Sequence, residues 1–116
     1  ANAAGKQNKI VPREMGTLLE RIYRHAFVDE ATSKLMEETL LQQQINHKIP
    51  GYLRDEVAVA HKTGEDDGIT NDVGVVYARE PFVICFATNR TDVPEAERAM
   101  REISLSLAEI PAWKAE

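Results

Sequence analysis

Residues 57–77 read VAVAHKTGEDDGITNDVGVVY, two apolar runs on either side of an acidic segment that ends in glycine. In both runs, valine alternates with other residues at the period of two that is typical of β-strands. The segment between them, Glu65-Asp66-Asp67-Gly68, has the length and composition of a hairpin connection. A third apolar run follows the short Arg79-Glu80 connection. The sequence therefore predicts an antiparallel meander with strands at residues 56–62, 71–78 and 81–88.

Helical patterns precede the meander. Pro12 suits a first helical turn, and the apolar residues after it recur at helical spacing, so we predict a helix over residues 12–25. Asp29 can cap a second helix, which we expect to fade at residues 42–44. The first ten residues are small and polar and have no apolar period, which indicates a flexible tether over residues 1–10.

A helical pattern also follows the meander. Asp92 stands three residues before Glu95, the reciprocal capping arrangement, and predicts a long last helix that Pro111 stops. The chain has 116 residues, enough for one domain or a piece of one. We therefore predict an α+β chain that is helical over residues 11–53 and forms the meander and a long C-terminal helix over residues 54–116.

Composition argues against several classes of function. The net charge is −5 and the sequence has no run of Lys and Arg, so it lacks the basic patch that binds nucleic acid. The apolar runs are far shorter than the roughly 20 residues that a membrane span needs. Cys85 is the only cysteine, which excludes an intrachain disulfide and a cysteine-based metal site. His25 and His47 fit solvated or capping positions near helix ends, so no metal site follows from them. We also predict no cofactor.

The motif His61-Lys62-Thr63-Gly64, with the Asn71-Asp72 pair opening the next strand, resembles a signature of class A β-lactamases and related penicillin-binding serine hydrolases. The predicted helices upstream, and the third strand and long helix downstream, follow the order of that family. The resemblance implies a partial β-lactamase/transpeptidase-like fold in which residues 11–116 are the C-terminal part. It also implies an extracytoplasmic location, periplasmic or secreted.

The resemblance also assigns roles to residues of the motif. In this family a serine attacks a β-lactam or an acyl-D-alanyl peptide and forms an acyl-enzyme. Lys62 is implied as the cation beside the substrate carboxylate, to which Thr63 donates its hydroxyl group. Gly64 lets the ligand approach the strand, and Glu65 contributes its backbone N–H to the oxyanion hole.

Two other motifs of the family, Ser-x-x-Lys and Ser-Asp-Asn, do not occur in the chain. We therefore expect the chain alone to be inactive and to pair either with a missing N-terminal part of the same protein or with itself. Its expected ligand is a β-lactam or a cell-wall peptide. The alternatives are a non-catalytic binding module and a parent protein that is a D-Ala-D-Ala carboxypeptidase or transpeptidase.

The motif departs from the family at Glu65, where a small residue is usual. An acidic turn beside a site for a carboxylate is expected to disfavour an anionic ligand. If Thr63 faces Thr70 across the hairpin, His61 lies opposite Asp72. We therefore predict a contact between the His61 and Asp72 side chains next to the motif. His61, Asn71 and Asp72 are accordingly predicted to be structural residues near the site.

Overall fold

The computed structural model describes residues 10–110, which form a three-stranded sheet with helices on both faces. The predicted α+β class with an antiparallel meander is confirmed. Most of the predicted tether, together with Pro111, lies outside the described residues. The elements in chain order are α1 Pro12–Tyr23, α2 Glu30–Leu41, a 3-10 helix Ile49–Tyr52, β1 Val59–Asp66, β2 Ile69–Val76, β3 Phe82–Phe86 and α3 Val93–Ala108.

The first strand begins later and extends further than predicted, so that the whole motif and two acidic residues are inside it. Pairing between β1 and β2 continues to Asp66 opposite Ile69, which leaves a turn of only Asp67 and Gly68. Gly68 has a φ of 67°, a conformation that glycine adopts without a steric penalty. The predicted four-residue connection was therefore two residues too long.

The predicted register of this hairpin was also wrong by two residues. Thr63 pairs with Asp72, and Glu65 rather than Thr63 pairs with Thr70. Because side chains alternate with a period of two, a shift of two residues leaves every side chain on its predicted face of the sheet. His61 and Asp72 are therefore diagonal neighbours on one face.

One face of the sheet packs against α1 and α2. Its core contains Ala60, Val73 and Val75 of the sheet with Leu19 of α1. Cys85 is partly buried and packs against this cluster, and burial raises the pKa of its thiol. We call this the α1/α2 face.

The opposite face packs against the 3-10 helix and α3. Ile49 is fully buried there between Val59 and Val76. Met100 of α3 is also buried. Arg101 of α3 lies over the ring of Tyr52 at 5.2 Å and donates to the carbonyl oxygen of His47 at 2.7 Å. We call this the α3 face, and these contacts fix the chain segment that enters the 3-10 helix.

Both predicted helix caps are present. Asp29 accepts a hydrogen bond from the backbone N–H of Thr32, and Asp92 accepts one from that of Glu95. The first helix ends at Tyr23 rather than at the predicted residue 25, because the backbone of His25 adopts a φ of 57°, outside the right-handed helical region. The second helix ends at Leu41, one residue before the predicted range of 42–44.

Candidate functional site

The motif lies at an edge of the described sheet. β1 pairs with β2 on one side, and no strand among residues 10–110 pairs with its other side. We call the side of residues 62–65 that faces away from β2 the motif edge. An extended peptide or a peptide-like ligand can add to such an edge as an extra strand, through main-chain hydrogen bonds.

The side chains of the motif alternate between the two faces. Lys62 and Gly64 lie on the α1/α2 face, and Thr63 and Glu65 lie on the α3 face. Lys62 is exposed, and its Nζ donates to the carbonyl oxygen of Thr63 at 2.5 Å. Thr63 is only 4% exposed. A Cβ atom on Gly64 would meet no atom within 4 Å, so the space on its side of the strand is open.

The predicted contact between His61 and Asp72 is present behind the motif. His61 Nδ1 lies 2.9 Å from Asp72 Oδ1, and both side chains are at most 1% exposed. The second oxygen, Oδ2, accepts a hydrogen bond from the backbone N–H of Ile49 at 3.0 Å. Within residues 10–110, His61 Nε2 has no hydrogen-bond partner. Asp72 therefore connects the motif strand to the 3-10 helix.

Gly74 lies directly opposite His61 in the hairpin and provides the room for its side chain. A Cβ atom at position 74 would lie 2.7 Å from His61 Cβ and 2.8 Å from the carbonyl oxygen of Ala60. Since the second of these is a backbone atom of the paired strand, a side-chain rotation cannot relieve the clash.

Gly74→Ala is therefore expected to destabilise the chain by about 1–3 kcal/mol, the usual cost of overpacking a close-packed core. Urea unfolding followed by far-UV circular dichroism measures the change. Gly64→Ala is the matched control, since a Cβ atom there meets open space and the substitution should cost much less. Equal losses in both variants would contradict the steric explanation.

A buried lysine that the sequence analysis missed lies next to the motif. Lys48 is 0% exposed, and its Nζ lies 2.8 Å from Glu65 Oε1, 3.2 Å from the carbonyl oxygen of Asn71 and 3.9 Å from Glu97 Oε2. Glu97 also accepts a hydrogen bond from the Thr70 hydroxyl group at 2.7 Å. We call these residues the Lys48 cluster. Charge-assisted bonding to Lys48 lowers the pKa of Glu65 below its ordinary value.

Asn71, predicted to be structural near the site, connects β2 with the segment after β3. Its carbonyl oxygen accepts from Lys48, and its side-chain oxygen accepts from the backbone N–H of Thr88 at 2.8 Å. The Thr88 hydroxyl group in turn accepts from the backbone N–H of Thr70. Asn71 therefore stabilises the strand that pairs with the motif.

The histidines outside the motif do not share one environment. His47 has a largely exposed side chain, 3.4 Å from Glu97 Oε1. His25, predicted to be solvated or capping, is instead half-buried and 2.8 Å from Glu37 Oε1. Tyr77 donates to the same carboxylate, and its pKa is raised, first by burial and then by this bond. Glu37 thus joins α2, the end of α1 and the sheet, on the α1/α2 face.

A groove of about 560 Å³ runs between α1 and β3, lined by both polar and apolar side chains. β3 is the other edge strand of the described sheet, at the side opposite the motif. In residues 10–110, no group of His, Cys, Asp and Glu side chains is placed to hold a metal ion. No helix in this part of the chain has the length and apolarity required to cross a membrane.

The sequence matches the model of the β-lactamase enzyme family over residues 1–110. No curated protein sequence matches the chain significantly.

Several solved structures share the fold. The β-lactamase from Sphaerobacter thermophilus is 21% identical with a TM-score of 0.81, and the match covers 94% of this chain and 44% of that protein. The TLA-1 extended-spectrum β-lactamase is 24% identical with a TM-score of 0.75 and the same coverage. PBP-A is 20% identical with a TM-score of 0.79, over 89% of this chain and 40% of PBP-A. The chain therefore spans less than half the length of these proteins.

Proposed function

Because the chain belongs to the β-lactamase enzyme family, we propose that it supplies the substrate-binding edge of a serine hydrolase that acts on β-lactams or acyl-D-alanyl peptides. The open motif edge is the observation that carries the proposal. It combines a strand side without a partner strand, an exposed lysine and open space at Gly64 on one short strand. This is the set of groups that an extended ligand with a carboxylate and a reacting carbonyl group requires.

Each residue of the edge has a separate role in the proposal. Lys62 provides positive charge for the ligand carboxylate, and Thr63 donates its hydroxyl group to the same carboxylate. Lys62 and Thr63 lie on opposite faces of β1, so they reach one carboxylate only at the free side of the strand, where the Thr63 hydroxyl group, now 4% exposed, has to become accessible. Gly64 leaves room for the ligand, and the backbone N–H of Glu65 donates to the oxygen on which negative charge develops. His61, Asn71 and Asp72 hold the strand in place.

The nucleophilic serine belongs to an N-terminal part of the same protein in this proposal. The chain, with residues 11–116 as the C-terminal part of a larger domain, spans 44% of the first structures it matches. We propose that the missing part covers the groove beside β3 and faces the motif edge. A variant of PBP-A has been solved as an acyl-enzyme complex with penicillin G, which fits a penicillin ligand. We expect the complete protein to act outside the cytoplasm.

The test is covalent labelling of the full-length protein by fluorescent penicillin. A labelled protein that loses the acyl group quickly is a β-lactamase, whereas one that loses it slowly is of the carboxypeptidase or transpeptidase type. Reversible binding without labelling would identify a non-catalytic binding module. No binding of penicillin or of an acyl-D-alanyl-D-alanine peptide would refute the proposal.

The isolated chain is expected to self-associate, because the sheet formed by residues 10–110 has two unpaired edges, at β1 and β3. Sedimentation velocity across a hundredfold range of concentration should show a sedimentation coefficient that rises with concentration. Mixing with the separately produced N-terminal part should replace the larger species by a heterodimer. A compact monomer at the highest concentration would contradict this expectation.

A further inference from the structure

The carboxylate that follows the motif is held by a lysine from a different part of the fold. Glu65 is 51% exposed, yet its Oε1 lies 2.8 Å from the Nζ of the fully buried Lys48. An ammonium group has three donors. A second donor bonds the carbonyl oxygen of Asn71 at 3.2 Å, and Glu97 Oε2 lies 3.9 Å away, close enough for an ion pair but not for a hydrogen bond. Because Lys48 is buried, its ammonium group contacts Glu65 and does not reach the motif edge itself.

The position of the Glu65 side chain matters for the motif edge. Glu65 lies on the α3 face, while the exposed Lys62 and the open space at Gly64 are on the other face. A Glu65 side chain released from Lys48 could rotate towards the free backbone edge. There it would repel a ligand carboxylate and compete for Lys62. Pairing with Lys48 keeps the Glu65 carboxylate away from the free edge and so reduces the unfavourable effect expected from an acidic residue after the motif.

We propose, on the basis of the proposed function, that Lys48 is a positioning residue that makes the motif edge selective for carboxylate-bearing ligands. It holds the Glu65 carboxylate on the α3 face, so that this carboxylate adds no negative charge beside Lys62 where an anionic ligand binds. Glu97 supports the arrangement from α3, where the Thr70 hydroxyl group fixes its Oε2 atom.

The first experiment compares the rates at which benzylpenicillin and its uncharged methyl ester acylate the full-length protein. Lys48→Met is expected to slow acylation by the acid about tenfold, as like charges meet at the site, and to leave the ester within twofold. In the double variant Lys48→Met/Glu65→Gln, the ratio of the acylation rates with the acid and with the ester should return to the value of the unaltered protein. Lys34→Met removes the same charge from an exposed lysine on α2 and is the control for a general change of charge, so both rates should stay within twofold of the unaltered protein.

Two results of this comparison would overturn the proposal. An equal loss for the acid and the ester would show that Lys48 only supports the fold. A double variant that stays selectively slow towards the acid would show that Lys48 acts on the ligand directly rather than through Glu65.

A second measurement decides the question where Lys48→Met fails to fold or where penicillin fails to acylate the protein. NMR of this chain should show that the ammonium hydrogens of Lys48 exchange slowly with water, unlike those of the exposed Lys34. Glu65→Gln, at a half-exposed position, should accelerate that exchange. Exchange of Lys48 as fast as that of Lys34 would overturn the positioning role. If exchange is slow but penicillin does not acylate the protein, the Lys48–Glu65 pairing is supported and the proposed serine hydrolase function is not.

Discussion

Lys62→Met is expected to slow acylation of the full-length protein by benzylpenicillin about 100-fold, the scale on which the loss of one well-placed donor acts in acyl transfer. Methionine keeps the unbranched, apolar part of the lysine side chain and removes the positive charge. Lys62 is exposed at the motif edge, so the loss should appear in the reaction and leave the stability nearly unchanged. Stopped-flow or gel-based labelling with fluorescent penicillin measures the rate.

The matched control is Lys34→Met on α2. Lys34 is also an exposed lysine, and its Nζ lies 3.8 Å from Glu30 in a surface pair of little energetic weight. Acylation of this variant should stay within twofold of the unaltered protein. A Lys62→Met rate within threefold of the unaltered rate would remove Lys62 from its proposed role and leave the family assignment in place.

Asp72→Ala should destabilise the chain by about 3 kcal/mol, because it leaves a buried partner and a buried backbone donor unpaired. Asp72 is 0% exposed and holds His61 with one oxygen and the N–H of Ile49 with the other. The truncation therefore affects β1, β2 and the 3-10 helix together. Urea unfolding at one fixed protein concentration measures the loss, since self-association would otherwise contribute to it.

Two further variants serve as comparisons for Asp72→Ala, one at the same position and one at an exposed aspartate. Asp72→Asn keeps one acceptor and nearly the same volume, so we expect a loss smaller than that of the alanine variant. Asp67→Ala removes an exposed carboxylate from the turn and should stay within about 0.5 kcal/mol. If Asp72→Ala lowers the free energy of unfolding by no more than Asp67→Ala does, the pair with His61 adds nothing to stability.

The local parts of the fold follow from local sequence. The period of two identified the strands, and Asp29 and Asp92 marked the starts of two helices by a short-range cap. The contact between His61 and Asp72 was predicted from a wrong register. It is nevertheless present, because a shift of two residues preserves the face on which each side chain lies.

The parts that the sequence did not predict depend on packing between distant segments. Lys48 meets Glu65 from 17 residues away and Asn71 from 23 residues away, and no pattern around Lys48 marks it as buried. The pairing of His25 with Glu37 arises because α1 and α2 pack side by side and His25 adopts a positive φ. Neither juxtaposition has a signal within a window of a few residues.

The Lys48 cluster also has a consequence for how the molecule folds. A single ammonium group is the meeting point of β1, β2, α3 and the residue that enters the 3-10 helix, segments that are far apart along the chain. Closing such long loops has an entropic cost that only the assembled structure repays. We therefore expect the amide hydrogens of residues 62–65 that pair with β2 to exchange by global unfolding rather than by local fraying. No partly folded intermediate would then present a competent motif edge, and ligand recognition would report on complete folding of the chain.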